Sequence, residues 1–390
     1  MIPSLVRKAT YTREDYPFVY YSSLLEQFGI IDYANKETPL MDMEGNFYTE
    51  TELDSLMPLF SFRQLASEGK LPDSIKGHEI SQQILRINQV VYRYNPKEVK
   101  KPDPGLYILF ESMPKRVGLE IPPDVFRLKN DIEFIDAETN RTDAGKSERF
   151  RKALDKAGFQ FPAQWAIGNP NPRKAYDEGY FSLDAKGDFY HIKMVNNRPY
   201  VRNTGIGEKL DIASFSIYEA ATKRFYGFLF DKSGYMYIVE SNEEGGYKPL
   251  RLEMDPIDLE NEQVSLMGNL LYWTVNVSSA TGRKYYALEA TTLNQVSRHF
   301  IARQPGGWDK ASRCLFPVYL TFEQANSSYI APRLHFTGWC GFLANAVAVA
   351  VYLIFGLGCR KKKAAISLYI LITGIAGLLA VVILPGFRKK

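Results

Sequence analysis

Two apolar runs at the end of the chain constrain what it can fold into more than anything else in the sequence. Trp339 to Gly358 is twenty residues without a charge, and Ala364 to Leu384 is another twenty-one. About 20 apolar residues in a helix cross a bilayer core, and lipid demands that each backbone polar group be satisfied within the segment. The link Cys359-Arg360-Lys361-Lys362-Lys363 is short. The expected form is therefore an antiparallel transmembrane hairpin over residues 334–390, with spans at about 339–358 and 364–384. Small residues recur at helical spacing on both runs: Gly341, Ala344 and Ala348 on the first, Thr373, Gly377 and Ala380 on the second. That spacing lets two helices approach closely. Asn345 is the one strongly polar side chain deep in either run and is expected to bond the partner helix or another subunit rather than to mark a transport path. No ionisable residue lies in either run, so the hairpin reads as an anchor or subunit contact and offers no ion path.

The same segment absorbs the basic excess. Residues 334–390 hold seven Lys and Arg and no Asp or Glu, so the formal +4 of the 390-residue chain becomes −3 over residues 1–333. A nucleic-acid partner is excluded on that balance, because such binding rests on clustered cations. The linker's four positive charges equal Arg333, Arg388, Lys389 and Lys390 on the other side, so a positive-inside count does not orient the hairpin. Met1 to Lys8 lacks the apolar core of a signal peptide. Two readings stay open: a cytoplasmic large domain, or a start inside a lost hydrophobic segment whose remnant is Ile2-Pro3-Ser4-Leu5-Val6.

Residues 1–333 form the expected extramembrane domain, and a pattern recurs in it. Asp42, Gly45 and Tyr48, then Asp184, Gly187 and Tyr190, then Asp231, Gly234 and Tyr237, share one spacing; Ser279, Gly282 and Tyr285 form a degenerate copy. The glycines are 142, 47 and 48 residues apart, and 142 is close to three times 47. Asp opens a tight turn through its side chain, Gly takes the left-handed position that closes a hairpin, and Tyr starts the returning strand. Asn140 falls near another expected copy. A period of this length suits propeller blades. The expected fold is mainly β, a propeller-like domain of repeated antiparallel hairpins, with a β-sandwich as the alternative. Helical insertions are expected at about 49–68, broken by Pro58, at 79–92 and at 147–157. Pro102 to Pro104 and Pro170 to Pro172 are candidate boundaries.

Chemistry-bearing motifs are sparse. Asn140-Arg-Thr-Asp-Ala-Gly145-Lys146-Ser147 departs from a P-loop, which needs glycine where Asn140 stands, and reads as a turn and helix start. His78, His191, His299 and His335 are scattered without metal-ligand spacing. Cys340 and Cys359 belong to the hairpin, which leaves Cys314 alone in the large domain. Glu243-Glu244 beside Gly245-Gly246 reads as a solvated hairpin tip. No catalytic, cofactor-binding or metal residue is assigned, and no cofactor is expected.

Asp15-Tyr16-Pro17-Phe18-Val19-Tyr20-Tyr21-Ser22-Ser23, the block from Tyr48-Thr49-Glu50 to Phe62-Arg63-Gln64-Leu65, the repeats and the terminal runs together resemble an uncharacterised Bacteroidetes-type membrane protein family. The resemblance covers most of the chain, and its motifs are structural. It implies a companion of an ABC-transporter ATPase subunit, with a further hydrophobic segment at the N-terminus that this sequence does not show. It also implies a multi-pass inner (cytoplasmic) membrane location, a β domain outside the cytoplasm and a basic linker inside. The expected function is thus a non-enzymatic accessory or membrane component of an ABC-type export system, partnered by an ATPase or permease subunit and carrying an unknown ligand. A free-standing envelope sensor or ligand-binding protein is the runner-up, and an envelope hydrolase the third reading.

Overall fold

Short alternating segments ended by Gly, Asn and Asp turns build most of the chain into small antiparallel sheets. The computed structural model describes residues 6, 8–10, 16–33, 40–99, 103–116, 118–242, 244–304, 306–323, 331–355 and 363–384. It divides into two compact units, Pro17–Ile301 and a second made of Met1–Tyr16 with Ala302–Lys390.

In the larger unit, β1 (Phe18–Tyr21), β2 (Phe28–Ile31) and β3 (Leu40–Met41) form one sheet. Two helices follow. Thr49 and Glu52 cap the first, Glu50–Leu56, reciprocally, and Pro58 separates it from the second, Phe62–Ser67. The small hairpin β4 (Ser74–Ile75) and β5 (His78–Glu79) leads to a helix at Gln82–Ile87 and then to β6 (Val90–Tyr94). Sequence periodicity reads 79–92 as one helix; the run Val90-Val91-Tyr92 instead goes to strand, where β-branched and aromatic side chains pack well on a pleated surface.

Hairpin β7 (Asp124–Leu128) and β8 (Ile132–Asp136) is covered by the helix Ala144–Ala157, which Asp143 caps. Two four-stranded sheets follow. The first holds β9 (Trp165–Gly168), β10 (Tyr180–Leu183), β11 (Phe189–Val195) and β12 (Arg198–Asn203); the second holds β13 (Ile212–Ile217), β14 (Phe225–Asp231), β15 (Met236–Ser241) and β16 (Tyr247–Arg251). Finally β17 (Gln263–Gly268), β18 (Tyr272–Ser278), β19 (Gly282–Glu289) and β20 (Gln295–Ala302) make a sheet that β6 joins beside β17. Aromatic clusters between successive sheets form the core, Phe181, Phe189 and Phe215 in one place and Tyr92, Phe228, Phe230 and Trp273 in another.

The expected propeller is corrected here. The 47-residue spacing does fall on successive sheets, since Gly187 and Gly234 lie in hairpin connections and Gly282 opens a returning strand, each in a different sheet. Among the described residues the sheets of this unit nevertheless have three, two, two, four, four and five strands and do not close a propeller. Where further blades are expected, residues 50–87 form short helices and a two-residue hairpin, and residues 124–136 form only two strands.

The second unit holds a helix at Gly307–Leu315, a hairpin of β21 (Val318–Glu323) and β22 (Ala331–Phe336), and helices at Cys340–Ile354, Lys363–Thr373 and Ile375–Ile383. The transmembrane hairpin, and with it the multi-pass membrane location, is corrected: among the described residues no helix is long and apolar enough to cross a membrane. The Cys340–Ile354 helix has 15 residues, about 22 Å at 1.5 Å per residue. The second apolar run is broken at Gly374 (φ 61, ψ −137) into helices of 11 and 9 residues. Residues 356–362, with the basic linker up to Lys362, lie outside the described residues. The expectation of a β domain outside the cytoplasm, which the resemblance implied together with that membrane location, is corrected with it.

Candidate functional site

The alternation of β6 buries Val90, Tyr92 and Tyr94 and leaves Val91 and Arg93 outward. β7 likewise buries Phe126 and Leu128 while Arg127 faces out, and Lys129 follows in the turn. These outward cations border a cavity of about 990 Å³ in the larger unit, walled as well by Trp165, Ile167 and Gly168 of β9 and by Ala213 to Ile217 of β13. Tyr94, Tyr107, Trp165 and Phe215 supply its aromatic surface. Asp103 is the acidic residue among the described lining, and its carboxylate is already engaged: Oδ1 accepts from the Gly105 amide at 2.8 Å and Oδ2 accepts from the Tyr107 hydroxyl. Arg127 stands 3.7 Å from Glu133, both side chains about half exposed, a pair worth little in water. The lining therefore presents Arg93, Arg127 and Lys129 beside aromatic rings, a combination that suits an anion with apolar parts.

Behind one wall lies a buried ionic network. Asn169, on the cavity lining, donates through Nδ2 to Glu219 Oε2 at 2.8 Å. Glu219 Oε1 accepts from Lys174 Nζ at 2.7 Å and from the Glu178 amide at 2.8 Å. Lys174 also donates to Asp177 Oδ1 at 2.5 Å, and Asp177 Oδ2 accepts from the Ser112 hydroxyl and the Gly179 amide. The three charged side chains are 5%, 2% and 2% exposed in the order Lys174, Asp177, Glu219. Burial pushes the Glu219 carboxyl upward, opposed by Lys174 and by the Glu178 and Asn169 donors. Next to it, His191 is 1% exposed; its Nε2 donates to the Glu178 carbonyl and its Nδ1 accepts from the Tyr247 hydroxyl, both at 2.6 Å. Burial, helped by Lys193, holds its pKa down at about 3, so the ring is neutral. The network ties the 169–179 loop to the two four-stranded sheets and fixes the cavity wall.

Of the turn residues expected from the sequence, Gly45, Gly187 and Gly234 sit in connections, Asp231 ends β14 and Gly282 opens β19, and Tyr190, Tyr237 and Tyr285 lie on the returning strands. Gly45, Gly187 and Gly234 have φ of 87°, 91° and 88°. In each turn the Gly amide donates to the carbonyl of the Asp three residues earlier. Asp42, Asp184 and Asp231 also accept backbone amides on Oδ1. Tyr48 and Tyr237 close back on Asp42 and Asp231 through their hydroxyls at 2.6 and 3.0 Å; Tyr190 is buried on β11 against Phe159 instead. Burial alone raises the Asp42 carboxyl, but the donors Tyr48, Asn46 and Glu44 outweigh it and bring it down to about 2. Gly282 opens β19 in a more extended form (φ 156°), with Tyr285 buried on the same strand. Asn140 is left-handed (φ 55°). None of these residues lines the cavity.

Lys146 of the P-loop-like segment is held by Asp124 at 2.6 Å over the Phe134 ring, and Ser147 bonds Asp143 and Phe134, so the segment is a turn and helix start. In the second unit Gly341, Asn345, Ala348 and Gly377 are buried, while Ala344, Thr373 and Ala380 are half-buried. Asn345 donates to the Leu371 carbonyl at 2.8 Å, across the helix contact. Among the described residues no group of His, Cys, Asp and Glu is placed to hold a metal ion.

A family model described as a domain of unknown function, DUF4857, matches residues 18–288. The chain belongs to this family. The match takes in every residue of the cavity and of the buried network and ends before the terminal helices. No curated protein matches the chain. Sequence reasoning missed the cavity and the Lys174 network altogether. The local signal present is the Asn169-Pro170-Asn171-Pro172 segment, which reads as a boundary and instead begins the loop that carries the network.

Proposed function

We propose that this chain is a non-enzymatic binding component whose larger unit takes an anionic ligand into the cavity. The observation that carries the reading is the charge of the wall: Arg93, Arg127 and Lys129 face it, and Asp103 is occupied by Tyr107 and Gly105. The fixed network behind Asn169 supports it, since a preformed wall reduces the ordering that binding must supply. In its wider setting we place the chain as an accessory component of an ABC-type export system. The resemblance to Bacteroidetes-type companions of ABC-transporter ATPase subunits supports that setting, and co-purification of such a subunit with the tagged chain tests it.

The cavity reading is tested by titrating the full chain with naphthalene-2,6-dicarboxylate and with its uncharged diamide, following Trp165 fluorescence. The dicarboxylate is expected to bind at least tenfold more tightly, and the preference to shrink as salt rises, because exposed cations are screened. Glu at positions 93 and 129 (Arg93→Glu with Lys129→Glu) should abolish it. Equal affinity for acid and diamide, or no effect of the double variant, contradicts an anion site here.

A further inference from the structure

The cavity wall is made of sheet edges. Among the described residues β6 pairs only with β17, β9 only with β10 and β13 only with β14. Antiparallel strands alternate residues whose backbone groups face the neighbour with residues whose groups face away. The Tyr218 amide donates to the Tyr226 carbonyl at 2.8 Å, which continues the β13–β14 ladder. Two and four residues back, Ser216 and Ser214 turn toward β14, so Phe215 and Ile217 turn their N–H and C=O to the free side. On β6 the Val91 amide reaches away from β17 to the Tyr218 hydroxyl at 3.1 Å. Arg93, two residues on, presents its backbone in the same sense. Arg93, Phe215 and Ile217 all line the cavity. The two strands are linked through side chains, the Tyr92 hydroxyl donating to Ser216 Oγ at 3.3 Å.

We propose that the ligand of this cavity is an extended acidic peptide segment, added as a strand along the free edge of β13 with its carboxylates toward Arg93, Arg127 and Lys129. The proposal rests on the anion-site reading and makes it specific. A free edge satisfies a partner's backbone whatever its sequence, and flanking groups choose the side chains. Charge complementarity chooses acidic residues here. Ala213 to Ile217 border the cavity, a length of roughly 17 Å at about 3.4 Å per residue, which fits a segment of about five residues. Tyr94, Tyr107 and Trp165 would receive the intervening apolar side chains.

The test uses the full chain and a fluorescein-labelled hexapeptide of alternating Glu and Val, read by anisotropy. Two N-methylated versions carry the methyl groups on alternate sets of amides, and a fourth peptide replaces Glu with Gln. Strand addition predicts that one methylated set binds at least tenfold more weakly while the other binds like the parent, and that the Gln peptide loses at least tenfold. If naphthalene-2,6-dicarboxylate binds but neither methylated set differs from the parent, the anion site stands and the peptide proposal is overturned. If a soluble polygalacturonate fragment of equal charge outcompetes the peptide, the occupant is a glycan and the proposal is likewise overturned. Failure of the dicarboxylate and the peptide alike removes both readings.

Discussion

At the residue scale, two equivalent glycines are not equally replaceable. Gly187 and Gly234 share a left-handed backbone near φ 90°, which costs a residue with a Cβ about 1–2 kcal/mol. A Cβ at Gly187 meets nothing within 4 Å, whereas at Gly234 it falls 2.2 Å from the Ile257 carbonyl oxygen. Gly234→Ala is therefore expected to lose at least about 1 kcal/mol more than Gly187→Ala, the further loss coming from overpacking; urea unfolding of both variants decides it. Equal losses contradict the close approach of the Gly234 turn to Ile257. His191 gives a pH prediction. Its folded pKa of about 3 lies below the ordinary 6.5, so the unfolded chain takes up a proton that the folded chain refuses, and the stability is present above pH 6.5 and lost as pH falls toward 3. Between pH 7 and pH 5 that amounts to about 2 kcal/mol. His191→Gln should lower stability at pH 7 and flatten its change down to pH 5. An unchanged slope shows that the ring does not stay neutral in the folded state.

At the scale of elements, what the sequence reveals is what neighbours along the chain decide. The Asp, Gly and Tyr turns are legible because their hydrogen bonds run over six residues, Asp42 to Tyr48 and Asp231 to Tyr237. The capped helix at Glu50–Leu56 is legible for the same reason. The cavity is not, because Arg93, Arg127, Trp165 and Phe215 come together only when four separate strands meet. The length of an apolar run also fails to say whether its helix is continuous: Gly374 breaks one where Asn345 Oδ1 would lie 2.2 Å from a Cβ. The loop from Asn169 to Gly179 is held by burial of charges rather than by local pattern, and that can be measured. Lys174→Met strips the cation from Asp177 and Glu219, both 2% exposed. A loss of about 3–5 kcal/mol is expected, because uncompensated buried carboxylates remain. A variant within 1 kcal/mol of the parent, on the scale of about 0–1 kcal/mol for a surface pair, contradicts the buried network.

At the scale of the whole molecule, the division at Ile301 and Ala302 predicts that residues 17–301, which contain the matched family region, fold without the remainder. That fragment is expected to melt in one cooperative transition and to bind naphthalene-2,6-dicarboxylate as the full chain does. A non-cooperative melt contradicts the division. In the other unit the helices turn small residues such as Ala348 and Gly377 inward, while Leu343, Val347, Ile354 and Ile383 are more than 60% exposed. The larger unit has aromatic clusters inside and carries Arg93, Arg127 and Lys129 at one cavity. Function is assigned to that cavity, and hydrogen exchange of the full chain with and without the acidic hexapeptide tests the assignment most directly. Slowed exchange confined to the segments around Arg93 and from Ala213 to Ile217, whose edges line the cavity, is the predicted result. Unchanged exchange there, with protection appearing elsewhere on the chain, would contradict it.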